Sequence, residues 1–106
     1  SAKPGPSAME LILLGTGGCS IYDVVGILEK GRQDVDDVLV ELSADRAAAV
    51  PAVFTHIHMH FVVTGRGVKE ALVARAVELS AEKYCSATKM LQASVEITHD
   101  FEIVEA

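Results

Sequence analysis

The sequence predicts an α+β fold, in which helical and strand-forming stretches follow one another as separate blocks. Three observations lead to this prediction: a long apolar stretch at 8–30, two neighbouring strand-like segments at 35–44 and 54–64, and an amphipathic segment at 68–84 that precedes a last strand at 95–104. The predicted order is helix, two strands, two helices and a strand, and such segregation is typical of α+β domains. The 106 residues suffice for one domain with a modest core.

The first apolar stretch allows two interpretations. Residues 1–6 hold two prolines and a glycine and are predicted to form an extended lead-in. Ser7 then suits a helix N-cap, and Glu10 three residues later would complete a capping box. The stretch 8–30 is either a strand, a glycine loop and a helix in succession, or one long buried helix ended by Gly31. Short apolar runs do not distinguish the two by periodicity.

The helical interpretation places several polar side chains together. Spacings of three, four and seven residues put them on one helix face, and this set is Thr16, Cys19, Ser20 and Asp23. The apolar side would then carry Leu14, Ile21, Val25 and Leu28. The glycines would let another helix backbone come close, which would offset their helix penalty of roughly 1 kcal/mol each.

The later elements follow from alternation and from chain breakers. Segment 35–44 places Val38, Val40 and Leu42 on one face, which predicts a strand with its other face mostly in water. Antiparallel pairing with the next strand is the default expectation. The amphipathic helix at 68–84 would turn inward the side chains of Val68, Leu72, Ala76 and Leu79. Ser86 would cap a short second helix at 87–94 before the last strand.

Composition excludes some classes of partner. The net charge is −6 and the nine basic residues are scattered, which argues against nucleic-acid binding because phosphate contacts need clustered Lys and Arg. The chain contains no run of about eighteen uncharged residues, so we expect no membrane span. It also lacks the basic region and cleavage site of a signal peptide. Two cysteines in a chain without a secretory signal predict a reducing, cytoplasmic location. Half of the chain is hydrophobic, so we expect part of its apolar surface to meet another subunit.

The two thiols, Cys19 and Cys85, are the main candidates for chemistry. Cys85 precedes a predicted helix start, and Cys19 lies beside Thr16 and Ser20, whose hydroxyls could donate to it. The thiols are either a redox pair brought together by the fold or two buried free cysteines that behave as small hydrophobes. Loop-flanking cations at Arg32, Arg46 and Arg66, and carboxylates at Glu10, Asp23 and Glu82, could polarise a thiol or simply be solvated.

Two other motifs have ordinary structural explanations. Gly15 and Gly17 match the start of a dinucleotide-binding G-x-G-x-x-G, but Ser20 stands in the third position, so glycines for close packing are the better explanation. The histidines at 56, 58 and 60 would share one strand face, as metal ligands or as the polar face of a half-buried strand. We favour the polar face, with Ile57, Met59 and Phe61 inward, and predict neither a metal nor another cofactor.

The sequence motifs around the two cysteines resemble those of the OsmC/Ohr family, the osmotically inducible protein C and organic hydroperoxide resistance proteins. The first cysteine region carries PSAMEL at 6–11, GGCS at 17–20 and DVV at 23–25. The stretch LSAEKYCS at 79–86 is similar to the second cysteine motif of the family. FTH at 54–56 and VEITH at 95–99 are similar to OsmC-like proteins that lack the typical Ohr signature. The resemblance extends from about residue 4 to the end.

The resemblance implies a fold and an assembly. The first region would be a long central helix packed on an antiparallel sheet, and two chains would form an intertwined homodimer with active sites at its interface. Residues 7–106 would be a single OsmC-like domain without the N-terminal β segment that family peroxidases carry.

The resemblance also implies an activity. Cys19 would match the peroxidatic thiol, Cys85 the resolving thiol, and Glu10 would stand near the position of the paired glutamate. The protein would reduce organic hydroperoxides through a Cys19 sulfenic acid and a Cys19–Cys85 disulfide, which a lipoyl-type dithiol would reopen. The alternative is a non-catalytic OsmC-like dimer that binds a small apolar ligand at the interface, and a metal-binding module built on the strand histidines ranks third.

Overall fold

The computed structural model describes residues 5–106, so most of the predicted lead-in at 1–6 lies outside the described residues. The chain forms an α+β domain, as predicted. Its elements in order are α1 (Ala8–Lys30), β1 (Asp34–Arg46), β2 (Phe54–Arg66), α2 (Glu70–Leu79), a π-helical turn (Ser80–Tyr84), α3 (Ser86–Leu91) and β3 (Glu96–Glu105).

Helix α1 is continuous, which confirms the single long helix and shows that the strand–loop–helix alternative is wrong. It begins with the predicted capping box, in which Glu10 N donates to Ser7 Oγ and Ser7 N donates to Glu10 Oε1. It ends at Gly31, which caps the last turn. The buried face differs in part from the predicted one, since Leu14 is 56% exposed. The residues that α1 buries are Thr16, Gly17, Ser20, Val24 and Leu28.

Gly17 sets the distance between α1 and the sheet. A Cβ atom at this position would lie 2.7 Å from Leu42 Cδ1 and 3.2 Å from Val40 Cγ1. Nothing lies within 4 Å of the corresponding points at Gly15 and Gly18. Within the described chain, the glycine that permits close packing therefore faces side chains of β1 and not the backbone of another helix.

The three-stranded sheet has the order β1-β2-β3 and is mixed. β1 and β2 pair antiparallel, with Val40 opposite Phe61, as expected for neighbouring strands. β2 and β3 pair in parallel, with Ile57 opposite Ile97. The prediction of an antiparallel sheet is therefore wrong at β3. The reason is that α2 and α3 form a crossover connection, which brings the chain back to the same end of the sheet before β3 begins.

The core lies between the helices and one face of the sheet. From Ile57 onward the burial of strand β2 alternates, so Ile57, Met59 and Phe61 are buried, as predicted, while the intervening histidines lie on the opposite face. Helix α2 contributes an inward stripe that differs in part from the predicted one and consists of Val73, Ala76 and Val77. Fully burying a side chain of this kind stabilises the fold by about 1.5–3 kcal/mol, so these residues dominate its stability.

By length and composition alone, α1 is apolar enough to cross a membrane, although Glu10 and Asp23 interrupt its uncharged run, as the sequence analysis expected. One such helix is weak evidence, because the core helix of a globular protein meets the same criterion. Here Val24 and Leu28 of α1 belong to the hydrophobic core, in one cluster with Phe61 of β2 and Val73 of α2.

Candidate thiol site

The fold brings the two thiols together. Cys19 lies in the middle of α1, and Cys85 lies between the π-helical turn and α3. The sulfur atoms and a carboxylate oxygen of Asp23 all lie within 4.8 Å of one another, and both cysteines are free. Bonded sulfurs lie about 2.05 Å apart, so formation of a disulfide would require the two sulfurs to approach by up to about 2.8 Å.

Local backbone geometry fixes Cys85. The π-helical turn ends when Cys85 adopts an extended conformation (φ −77°, ψ 103°), and its N–H donates to Ser80 O at 2.8 Å. Cys85 is then itself the N-cap of α3, because its sulfur accepts from Thr88 N at 3.4 Å. The prediction that Ser86 caps this helix is therefore wrong by one residue.

Hydrogen-bond donors surround the fully buried sulfur of Cys85. Thr88 Oγ1 donates at 3.1 Å and Ser20 Oγ at 3.4 Å, in addition to the N–H of Thr88. Burial opposes ionisation of Cys85, but these donors outweigh it and lower the pKa of the thiol. The site thus stabilises a thiolate at Cys85.

Cys19 has the opposite electrostatic environment. Burial raises the pKa of the half-buried Cys19 thiol, and Cys85 beside it raises it further, while backbone groups of Ala87 and Ser86 act in the other direction. The first proton therefore leaves Cys85, and Cys19 stays a thiol that can donate to it. Among the described residues, no basic side chain is a leading influence on either thiol.

The polar residues that share a face of α1 all reach this site, as predicted, but with different roles. Thr16 Oγ1 donates to Ile12 O at 2.9 Å, and it is the carbonyl of Thr16 that lies 3.9 Å from Cys85 Sγ. Ser20 Oγ donates a hydrogen bond to Cys85 Sγ and lies 3.6 Å from Met59 Sδ. The expectation that Thr16 and Ser20 donate to Cys19 is therefore wrong.

The Asp23 side chain also has a fixed partner. Ser80 Oγ donates to Asp23 Oδ2 at 3.2 Å, and it lies 3.5 Å from the carbonyl oxygen of Ser20. This contact ties the carboxylate to the start of the π-helical turn and holds it beside the thiols.

The other candidate residues lie apart from the thiols. Glu10 forms the capping box in the first turn of α1, roughly 13 Å along the helix axis from Cys19. Arg66 pairs with Asp34 at 3.0 Å and Asp36 at 2.7 Å, at the far end of β2. Arg46 Nε donates to Ala52 O at 2.7 Å.

An open cleft of about 870 Å³ begins beside the thiols. Its lining includes Gly18 and Asp23 of α1, which lie near Cys19 in the chain, together with Tyr22, Leu79 and Tyr84. The lining is mainly apolar, so the cleft offers an approach to the site for a molecule with an alkyl or aromatic body.

The strand histidines form a separate network on the outer face of the sheet. Thr98 lies between His56 Nε2 at 3.0 Å and His58 Nδ1 at 2.6 Å. Asp100 lies between His58 Nε2 at 3.0 Å and His60 Nδ1 at 2.6 Å. The polar-face interpretation of these histidines is therefore confirmed.

Three contributors to the site escaped the sequence analysis: Thr88, Ser80 and Met59. Thr88 had a recognisable signal, because a residue three positions after an N-cap is the one whose N–H the cap side chain accepts. Ser80 and Met59 had no such signal, since their roles depend on a π-helical turn and on the packing of α1 across β2.

Comparison with known proteins agrees with this geometry. A sequence model of the family described as OsmC-like protein matches residues 1–100. Protein YhfA of Escherichia coli K12 is 57% identical over 106 residues, which cover 100% of this chain and 79% of that protein.

Solved structures with a similar fold include relatives of this chain. A hypothetical protein from Aquifex aeolicus is 34% identical with a TM-score of 0.92, covering 99% of this chain and 79% of that one. The organic hydroperoxide resistance protein OhrB of Bacillus subtilis shares the fold at 15% identity and a TM-score of 0.64, covering 94% of this chain and 73% of that one. The chain therefore belongs to the OsmC-like protein family.

Proposed function

We propose that this protein is a thiol-dependent peroxidase that reduces organic hydroperoxides. The observation that carries the proposal is the arrangement of two free thiols and a carboxylate within 4.8 Å, with donors that stabilise a thiolate. The family supports it, because one structural neighbour is named as an organic hydroperoxide resistance protein.

In the proposed first step, Cys19 passes its proton to the thiolate of Cys85 beside it, and the resulting Cys19 thiolate attacks the distal oxygen of the hydroperoxide. The O–O bond breaks, an S–O bond forms, and the alkoxide leaves as the alcohol by taking the proton from Cys85, so Cys19 becomes a sulfenic acid and Cys85 is again a thiolate. Exposure supports this assignment, since Cys19 is half-buried whereas Cys85 is fully buried.

In the second step, the sulfur of Cys85 attacks the sulfenic sulfur, the disulfide forms, and water leaves. The donors from Ser20 and Thr88 suit Cys85 to this resolving role, because they keep it as a thiolate. A lipoyl-type dithiol then reduces the disulfide by exchange and is itself oxidised. The proposed cycle suits the cytoplasm, where thiols are kept reduced. The proposed cycle assigns no step to Glu10, whose carboxylate completes the capping box of α1.

The open cleft favours a second candidate function. Its mainly apolar lining and its volume suit a small apolar ligand, so a non-catalytic dimer that binds such a ligand is the alternative. The two candidates differ in what happens to the thiols when hydroperoxide is added.

The deciding experiment is intact-mass analysis and free-thiol titration of the reduced protein, before and after one equivalent of cumene hydroperoxide. We expect loss of two hydrogens, loss of both thiols, and a Cys19–Cys85 cross-linked peptide. Cys19→Ser should stop the reaction, whereas Cys85→Ser should accumulate a sulfenic acid that dimedone traps. Survival of both thiols in the wild-type protein would refute the peroxidase and favour the ligand-binding alternative.

A further inference from the structure

Three potential metal-ligand atoms from two parts of the chain converge at the thiol site. Cys19 and Asp23 lie one turn apart on α1, and Cys85 faces them from the start of α3. One atom of each residue, the two sulfurs and a carboxylate oxygen, lies within 4.8 Å of the other two. The proposed peroxidase steps use the two sulfurs and leave the carboxylate without a role.

We propose that the reduced site binds a thiophilic divalent cation of the Zn²⁺ class through Cys19, Asp23 and Cys85, and that metal binding and disulfide formation exclude each other. Two thiolates and a carboxylate are a suitable donor set for Zn²⁺, which prefers sulfur and tolerates oxygen in tetrahedral sites. The inference needs only the two reduced thiols, so it does not depend on the proposed hydroperoxide activity.

The geometry is compatible with tetrahedral coordination. With Zn–S bonds of about 2.3 Å and a Zn–O bond of about 2.0–2.2 Å, ligand atoms in a tetrahedron lie about 3.5–3.8 Å apart. Since the observed upper limit is 4.8 Å, metal binding would draw the ligand atoms together by at most about 1.3 Å. Asp23 also lines the open cleft, so one of the three ligands lies where a fourth ligand from solvent can approach.

Outer contacts hold two of the three ligands in place. Ser80 Oγ bonds one oxygen of Asp23, which leaves the other carboxylate oxygen for a cation. Thr88 and Ser20 donate to Cys85 and fix its sulfur. Such outer hydrogen bonds orient metal ligands and are a regular part of protein metal sites.

The conversion of the zinc-bound dithiol into the disulfide balances in atoms and electrons. Binding of Zn²⁺ to the thiols of Cys19 and Cys85 releases their two protons. When a hydroperoxide oxidises the metal-bound pair, the two sulfurs give up two electrons and form the disulfide. The hydroperoxide takes these electrons and two protons and yields an alcohol and water, and Zn²⁺ is released because a disulfide is no longer a pair of thiolate ligands.

The test is titration of the reduced chain with Co²⁺ and with Zn²⁺. Co²⁺ should give the near-ultraviolet thiolate-to-metal charge-transfer absorption, and Zn²⁺ competed against a chromophoric chelator should bind one per chain. Asp23→Asn should weaken Zn²⁺ binding at least about tenfold. Glu29→Gln is the matched control, since it removes an equal charge from the same helix and the same cleft and should leave binding unchanged.

Wild-type protein oxidised to the disulfide should lose the absorption and the bound Zn²⁺, which tests the proposal without any variant that might misfold. Cys19→Ser and Cys85→Ser should lose the charge-transfer intensity of one sulfur each. The proposal is overturned if Co²⁺ gives no thiolate band, or if Asp23→Asn binds as well as Glu29→Gln. It is also overturned if Zn²⁺ binding survives oxidation, which would place the ion on the sheet histidines.

Discussion

Thr88 contributes both a hydroxyl and an amide hydrogen to the sulfur of Cys85, at 3.1 and 3.4 Å. The substitution Thr88→Val keeps the shape and the amide but removes the hydroxyl. Hydrogen bonds to charged groups contribute about 1.5–3 kcal/mol net, so we expect the pKa of Cys85 to rise and its thiolate population at neutral pH to fall about tenfold. The measurement is thiolate absorbance near 240 nm as a function of pH.

Thr16→Val is the matched control for this prediction. The Thr16 hydroxyl bonds the carbonyl of Ile12, and only its backbone carbonyl lies near Cys85. The control should therefore leave the thiolate titration unchanged. If both variants shift it equally, the hydroxyl of Thr88 is not what stabilises the thiolate.

His60 and Asp100 form a pair on the outer face of the sheet that makes stability depend on pH. The contact with Asp100, whose effect exceeds that of burial, raises the pKa of His60 above its ordinary 6.5, and Glu102 and Glu41 add to the effect. The same hydrogen bond from His60, with one from His58, lowers the pKa of Asp100 below its ordinary 3.8. These two pKa shifts define the pH range over which the pair stabilises the fold.

The raised pKa of His60 gives stability that is full below pH 6.5 and lost as the pH rises through the folded value. The lowered pKa of Asp100 gives stability that is present above pH 3.8 and lost as the pH falls through the folded value. Asp100→Asn should therefore lower Tm most at about pH 5 and least at about pH 8. Asp37→Asn, an equal charge change on β1, should show no such maximum, and a pH-independent loss in Asp100→Asn would contradict the coupling.

At the level of elements, the packing of α1 on β1 depends on a single small residue. Gly17→Ala and Gly18→Ala change helix propensity by the same amount, about 1 kcal/mol in favour of alanine. Only the alanine at position 17 would meet Leu42 and Val40 of β1. We therefore expect Gly17→Ala to be less stable than Gly18→Ala by about 1–2 kcal/mol, measured by urea unfolding. Equal stability of the two variants would mean that Leu42 moves aside without cost.

Much of this fold was predictable because its local signals agree. The capping box of Ser7 and Glu10 and the Gly31 terminus mark both ends of α1, and the alternation of β2 identifies its buried face. The parallel pairing of β3 was not predictable from adjacent patterns, since it depends on the path of a two-helix crossover. The same holds for the site: the cysteines stand out in the sequence, but the donors to Cys85 depend on a π-helical turn that no propensity specifies.

At the scale of the whole molecule, the helices form one layer on one face of the sheet, and the shortest dimension of the chain is 17 Å. Helix α1 buries one face in this arrangement and leaves large apolar side chains exposed on the other. Leu11 and Leu14 are each 56% exposed and Tyr22 is 82% exposed. An apolar surface of this kind on a small domain is a typical protein–protein contact.

We therefore expect the proposed homodimer to form through this face of α1. Light scattering coupled to size exclusion should give a mass of twice the 11.3 kDa of the chain. Leu14→Glu should shift the protein to monomer, because the association would bury a charge without a partner. Leu39→Glu is the control, since Leu39 is 50% exposed on the sheet and should leave the dimer intact. A wild-type monomer, or equal effects of both substitutions, would exclude α1 as the interface and leave its apolar face to another partner.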